Sequence, residues 1–145
     1  MNILDIYNKV NHFGELNDMT FESTEAGKVT YKIKLSQKHE SSPGIIHGGA
    51  LAGFMDGVLG VSALSYSQTL GMLTSTVEMK LNFLKPLRTG DELTGYGVVE
   101  HTGKRILVST GKVYNQKGEM VALGQGTFNC YPVDKSPAAD KFMGL

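Results

Sequence analysis

Between Leu73 and Phe83 apolar and polar residues alternate with a period of two. Val77, Met79, Leu81 and Phe83 fall on one face, and Thr74, Thr76, Glu78, Lys80 and Asn82 on the other. That pattern predicts a half-buried antiparallel strand. Shorter alternations run from Lys28 to Leu35, where Val29, Tyr31, Ile33 and Leu35 share a face, and from Arg105 to Tyr114 and Met120 to Tyr131, with Glu92 to His101 as a fifth candidate. The breaks Arg88-Thr-Gly-Asp91, Thr102-Gly-Lys104 and Asn115-Gln-Lys-Gly118 carry turn chemistry, so these strands are expected to join by hairpins and meanders. Two segments break the period. Ile3, Ile6, Tyr7 and Val10 sit at helical spacing and predict a short amphipathic helix ahead of a first strand near Met19 to Ser23. The run from Ile45 to Leu64 is apolar nearly all round and reads as one long buried helix.

This order predicts an α+β fold in which an antiparallel β-sheet of five to six strands wraps around one long central α-helix, with a short N-terminal helix. The expected organisation is one domain over residues 1–145, with a core of about 19–131. The stretch Pro132-Val-Asp-Lys-Ser-Pro137-Ala-Ala-Asp has no periodicity and reads as a loose tail over 132–145.

Composition removes several classes of function. Lys+Arg and Asp+Glu both number 14, so no global field draws nucleic acid or an acidic membrane, and neither is expected as a partner. Cys130 is the only cysteine, which excludes a disulfide framework and any cysteine-based metal site; no metal is expected, and the usage fits a reducing compartment. The start Met1-Asn-Ile-Leu-Asp5 has no basic region followed by an apolar stretch, so the expected location is cytoplasmic. His47, Asp56 and Ser62 interrupt the apolar helix, which is short of the roughly 20 uninterrupted apolar residues of a membrane span.

The chemistry concentrates at the start of that helix. Gly49, Gly53, Gly57 and Gly60 recur at spacings of three or four, each costing roughly 1 kcal/mol relative to alanine. Something is therefore expected to approach one face closely, and the glycines are expected to let the curved sheet close on the helix. Asp56, flanked by Phe54, Met55, Val58 and Leu59, is a carboxylate in an apolar wall, where an unpaired charge is costly unless it has a purpose.

His47-Gly48-Gly49 with Asp56 nine positions after the histidine, then the strand Thr76-Val-Glu-Met-Lys-Leu-Asn-Phe-Leu-Lys85-Pro86 and the turn Gly90-Asp91, resembles the hot-dog-fold acyl-CoA thioesterases of the phenylacetate-degradation (PaaI-like) type. The resemblance runs from about Gly27 to Tyr131. It implies hydrolysis of an acyl-CoA to free acid and coenzyme A, with no cofactor beyond the coenzyme A carried by substrate and product. The residue chemistry agrees: thioester cleavage needs a base or nucleophile, for which Asp56 is the candidate, and donors for the developing oxyanion. Backbone N–H groups at Gly48 and Gly49 lie at the positive end of the helix dipole, and Gly48 has no side chain to keep a carbonyl away. His47 reads as a cap or positioning residue rather than a base.

Other residues come from the resemblance alone. Thr76 aligns with a hydroxyl that orients water in some relatives, although its period puts it on the polar sheet face. Phe83, Lys85 and Arg88, with Gly103, Lys104 and Arg105, match positions that line the nucleotide and pantetheine arm. Ser41 stands where relatives often carry an asparagine or glutamine that helps bind the carbonyl or water. Phe54, Met55, Leu59 and Tyr66 are candidates for an acyl pocket or for the core.

Eight residues separate Gly48 from Asp56, about 12 Å along a helix, so both cannot touch one carbonyl from one chain. If both are catalytic, the site is shared and the active unit is a homodimer, consistent with the dimers and homotetramers of the resembled family. The alternatives on the same fold are a non-catalytic acyl-CoA-binding protein and an acyl-thioester dehydratase.

Overall fold

A computed structural model describes residues 2–144. The first helix, α1 (Ile3–Val10), opens with a capping box in which Asn2 Oδ1 accepts the Asp5 N–H and the Asp5 carboxylate accepts the Asn2 N–H. A second turn of helix, α2 (His12–Leu16), follows; it was not expected, because five residues are too few to show a period. The chain continues as β1 (Met19–Glu25), β2 (Lys28–Lys34), a small ribbon of β3 (Glu40–Ser42) and β4 (Ile45–Ile46), and the long helix α3 (Gly48–Ser67). Then come β5 (Met72–Phe83), β6 (Glu92–Thr102), β7 (Ile106–Tyr114), β8 (Met120–Pro132) and a final short helix α4 (Ala139–Phe142).

Six strands form one antiparallel sheet in the order β1-β2-β6-β7-β8-β5, and α3 packs against it. Helix α3 is long and apolar enough to cross a membrane, but here it is the core: Phe54, Met55, Val58 and Leu59 are fully buried. Of the candidates for an acyl pocket or for the core, Phe54, Met55 and Leu59 belong to the core, and Tyr66 packs against it. Burial at that point depends on glycines in the sheet, where Gly97, Gly111 and Gly124 pair across β6, β7 and β8 in one row. A Cβ on Gly97 would stand 2.3 Å from the Val58 carbonyl oxygen, and one on Gly111 or Gly124 would press on Met55. Close approach between helix and sheet is therefore set in part from the sheet side. The glycines of α3 contribute from the other side, as expected: Gly57 lies beneath Tyr31 of β2 and Gly60 beneath Phe128 of β8, while Gly53 lies beneath the ring of Phe13 in α2.

Two expectations change. The pairing of β5 with β8 shifts register between Thr76 and Glu78, so Val77 is an extra residue in a bulge. Thr76 pairs with Phe128, a core residue, whereas Val77 is 59% exposed. The bulge reverses the alternation, and Thr76 turns inward, toward α3, instead of lying on the outer polar face. The segment read as a loose tail is ordered: a turn at Val133–Lys135 leads into α4, whose Phe142 is 7% exposed.

Candidate active site

The loop before α3 is held by short-range bonds. His39 is buried, its Nδ1 accepts the Ser36 N–H at 2.9 Å, and its carbonyl accepts the His47 N–H at 2.8 Å. His47 then caps α3, with Nδ1 accepting the Gly49 N–H at 2.7 Å. Its capping role is the one read from sequence. The bond also occupies Gly49, so Gly49 is not a free donor. The Gly48 N–H, by contrast, has no acceptor among the described residues, and Gly48 is exposed at the helix start. It lines a groove of about 320 Å³ with His47, Leu51, Phe83, Lys85 and Pro86.

Asp56 lies two turns further along, in a different cavity of about 590 Å³. It is half-buried, and Thr76 Oγ1 donates to its Oδ1 at 2.9 Å. Among the described residues no lysine or arginine forms an ion pair with it. The rest of the cavity wall comes largely from elements that carried no site signal: Tyr7 and Val10 of α1, Phe13 of α2, Tyr31 of β2, Phe128 of β8 and Phe142 of α4. Burial raises the Tyr7 phenol well above its ordinary range, reinforced by Tyr31 and Asp56. Burial and Asp56 likewise raise Tyr31, against the opposing hydrogen bond from Asn11. Both hydroxyls thus stay protonated at neutral pH. Sequence reasoning missed these residues because nothing local marks a wall assembled from both ends of the chain.

The remaining predicted residues divide between the two ends of the sheet. Lys85 pairs with Glu119, and Arg88 bridges to Ile45 while its N–H donates to Asp91, so both sit near the start of α3. Gly103, whose N–H bonds the Ile106 carbonyl, lies with Lys104 and Arg105 in the β6–β7 hairpin. Ile106 and Ser75 both pair with Asn129, while Phe83 pairs with Ala122. Eight residues of β5 separate these levels, about 27 Å. One chain therefore does not bring the two basic groups together. Ser41 is exposed on β3, its hydroxyl directed at the Ile45 carbonyl at 3.4 Å. No group of three or more histidine, cysteine, aspartate or glutamate side chains is placed to hold a metal ion among the described residues.

Residues 43–122, more than half of the chain and the segment holding Gly48, Asp56 and Thr76, match the family model described as the thioesterase superfamily. The chain belongs to the thioesterase superfamily. It is a thioester hydrolase, and relatives agree. Acyl-coenzyme A thioesterase 13 of Homo sapiens is 25% identical over 113 residues, covering 77% of this chain and 79% of that one. The Escherichia coli PaaI protein from the phenylacetic acid degradation operon superposes with a TM-score of 0.81 at 21% identity, over 88% of this chain and 90% of that chain, which establishes the hot-dog fold. A hypothetical thioesterase of Streptococcus pneumoniae, solved with coenzyme A, superposes with a TM-score of 0.74 at 23% identity, over 90% of this chain and 97% of the other.

Proposed function

We propose that this thioesterase hydrolyses an acyl-CoA, with Asp56 of one protomer and the Gly48 N–H of its partner acting on the same carbonyl. The observation that carries the reading is the separation of the two groups: Asp56 with Thr76 in one cavity, the unoccupied Gly48 donor in another. Acyl-CoA as substrate is supported by the relative named as an acyl-coenzyme A thioesterase and by the structure solved with coenzyme A. Water, or the Asp56 carboxylate itself, adds to the carbonyl carbon. Charge moves to the oxygen, where the Gly48 N–H and the helix dipole stabilise it. The C–S bond then breaks, and the thiolate takes up a proton to leave as coenzyme A. If Asp56 acts as base, it removes the proton of the attacking water; if as nucleophile, a mixed anhydride forms and water cleaves it. Thr76 occupies Oδ1 in either route, which leaves Oδ2 to react.

A two-fold dimer with antiparallel α3 helices supplies the geometry. It sets Lys85 and Arg88 of one protomer near Lys104 and Arg105 of its partner, a suitable combination for phosphates. The outer strand β5 favours such pairing. Its free edge is 12 residues long, and Val77, Phe83, Leu84 and the adjacent Ile45 are exposed apolar residues. An uncovered edge of that kind invites another strand.

The donor can be removed without disturbing the helix. Proline is favoured at the first helical position, and His47 has φ −64° and ψ 132°, which suits a residue before proline. Gly48→Pro is expected to fold and to lose about 10²–10³-fold in kcat. Mixing refolded Gly48→Pro and Asp56→Asn chains is expected to restore about one quarter of wild-type activity, because half of randomly formed dimers are mixed and each has one intact site. No recovery in a population shown to contain mixed dimers would refute the shared site.

Thr76→Ala removes a hydrogen bond to a charged group, worth roughly 1.5–3 kcal/mol. It is expected to lower kcat about tenfold to a hundredfold, and Thr76→Ser to recover most of that. Equal kcat in both variants would remove Thr76 from the mechanism.

A further inference from the structure

We propose that His39 is a positioning residue that holds the Gly48 N–H in place for the thioester carbonyl, a reading that rests on Gly48 being the oxyanion donor. The donor lies at the end of a segment with little structure of its own. A single turn at Gln37–His39 leads into β3 and β4, a ribbon of three residues against two, and so short a ribbon is not stable alone. Between Ser36 and Gly49 only His39 and Ile46 are buried, and His39 is 3% exposed. The shape of the segment therefore depends on where it is pinned.

His39 pins it through ring and backbone together. Its Nδ1 accepts the Ser36 N–H at 2.9 Å while its own N–H returns to the Ser36 carbonyl at 3.0 Å, which closes the turn. Its carbonyl accepts the His47 N–H at 2.8 Å, extending the ribbon beyond the Glu40–Ile46 pair to the residue before Gly48. Peptide units are planar, so fixing the His47 N–H fixes the whole unit ahead of His47, and only the two dihedrals of His47 separate it from the unit that carries the Gly48 N–H. Those angles, φ −64° and ψ 132°, are held in turn by His47 Nδ1 on the Gly49 N–H. The far end of the ribbon is tied separately, where Glu40 Oε2 accepts the Gly44 N–H and the Thr89 hydroxyl.

Packing alone does not explain an imidazole at this position. Because Nδ1 accepts a hydrogen bond, the neutral ring carries its proton on Nε2, and Nε2 is buried without a partner among the described residues. A buried donor left unmet destabilises a fold, and an apolar ring would avoid that. What the histidine supplies and an apolar ring does not is the Nδ1 acceptor. Its bonded partners, Ser36 and His47, both belong to the pinned segment, so losing the acceptor loosens the path to Gly48 while the sheet and α3 stay in place.

The test compares His39→Phe, which keeps a ring and loses the acceptor, with His39→Asn, whose Oδ1 stands where Nδ1 did. Free-thiol release gives kcat and KM, with whichever of butyryl-, octanoyl- and palmitoyl-CoA is cleaved fastest, and Tm is measured beside them. His39→Phe is expected to lower kcat about tenfold to a hundredfold, the scale for misplacing a catalytic group by about 1 Å, with KM within about twofold of wild type. His39→Asn is expected to recover most of kcat although it melts lower, because it leaves a gap where the ring was. The more stable variant is thus the less active one, which a purely structural role does not produce. His39→Leu, also without an acceptor, is expected to match His39→Phe and gives the same reading if the larger ring does not fold. Wild-type kcat in the variants without an acceptor, or kcat that follows Tm across the series, overturns the assignment. Adding His39→Phe to Gly48→Pro is expected to lower kcat no further, since the donor is already gone; a full further loss means that His39 acts elsewhere and likewise overturns it. Gly48→Pro with wild-type kcat, or a wild type that cleaves none of the three thioesters, would instead refute the reading on which this assignment rests, and it would fall too.

Discussion

Asp56→Asn is expected to lower kcat by about 10²–10⁴-fold, the range for loss of a positioned base or nucleophile, with the melting temperature close to wild type. Asparagine has the same shape, and its amide oxygen can still accept from Thr76 Oγ1, so the half-buried position keeps its packing and its hydrogen bond. What it loses is negative charge and proton affinity. Free-thiol release from an acyl-CoA series measures the effect. A variant within about tenfold of wild type would exclude Asp56 as base or nucleophile, since general acid–base catalysis contributes more than that. A single turnover in isotopically labelled water gives a positive test of the covalent route, because label enters the Asp56 side chain only if a mixed anhydride forms and water attacks it at the Asp56 carbonyl carbon.

The largest effect on stability is expected from Gly97→Ala. The added Cβ would lie 2.3 Å from the Val58 carbonyl oxygen and 3.0 Å from Val29 Cγ1. The first of these is backbone within the central helix, so relief requires α3 to shift from the sheet and loosen the contacts of Phe54, Met55 and Leu59. Overpacking of this kind costs typically 1–3 kcal/mol, occasionally more, and a large fraction of a small domain's stability is then gone. Gly95→Ala is a useful contrast, since its Cβ would meet the Val58 side chain at 2.5 Å, and a side chain moves more readily than a helix. Denaturant melts of the two variants should rank Gly97→Ala as the less stable. A wild-type midpoint for Gly97→Ala would mean that the helix is not seated as closely as described.

Strands β1, β2 and β5 to β8 were legible because each is written locally, in alternation bounded by Gly and Asp or Asn turns. Helix α1 was legible from its apolar spacing, and α3 from a long apolar run that starts at His47-Gly48-Gly49. The same local stretch held the candidate site: a cap, an open backbone donor and a lone carboxylate on one helix. The fixed rise per residue also separated Gly48 from Asp56 before any packing was known. The reversal at Val77 was not legible, since a bulge is a mismatch between two paired strands and the apolar-polar pattern of the β5 sequence runs straight through it. Only the pairing of β5 with β8 turned Thr76 onto Asp56. Nor was the cavity legible, because its walls come from α1, α2, β2, β8 and α4, elements far apart in sequence. Their rings meet over Gly53, Gly57 and Gly60 only after the sheet has closed on the helix. Periodicity along the chain determined which elements form; contacts between distant elements decided which face each presents, and so what surrounds Asp56.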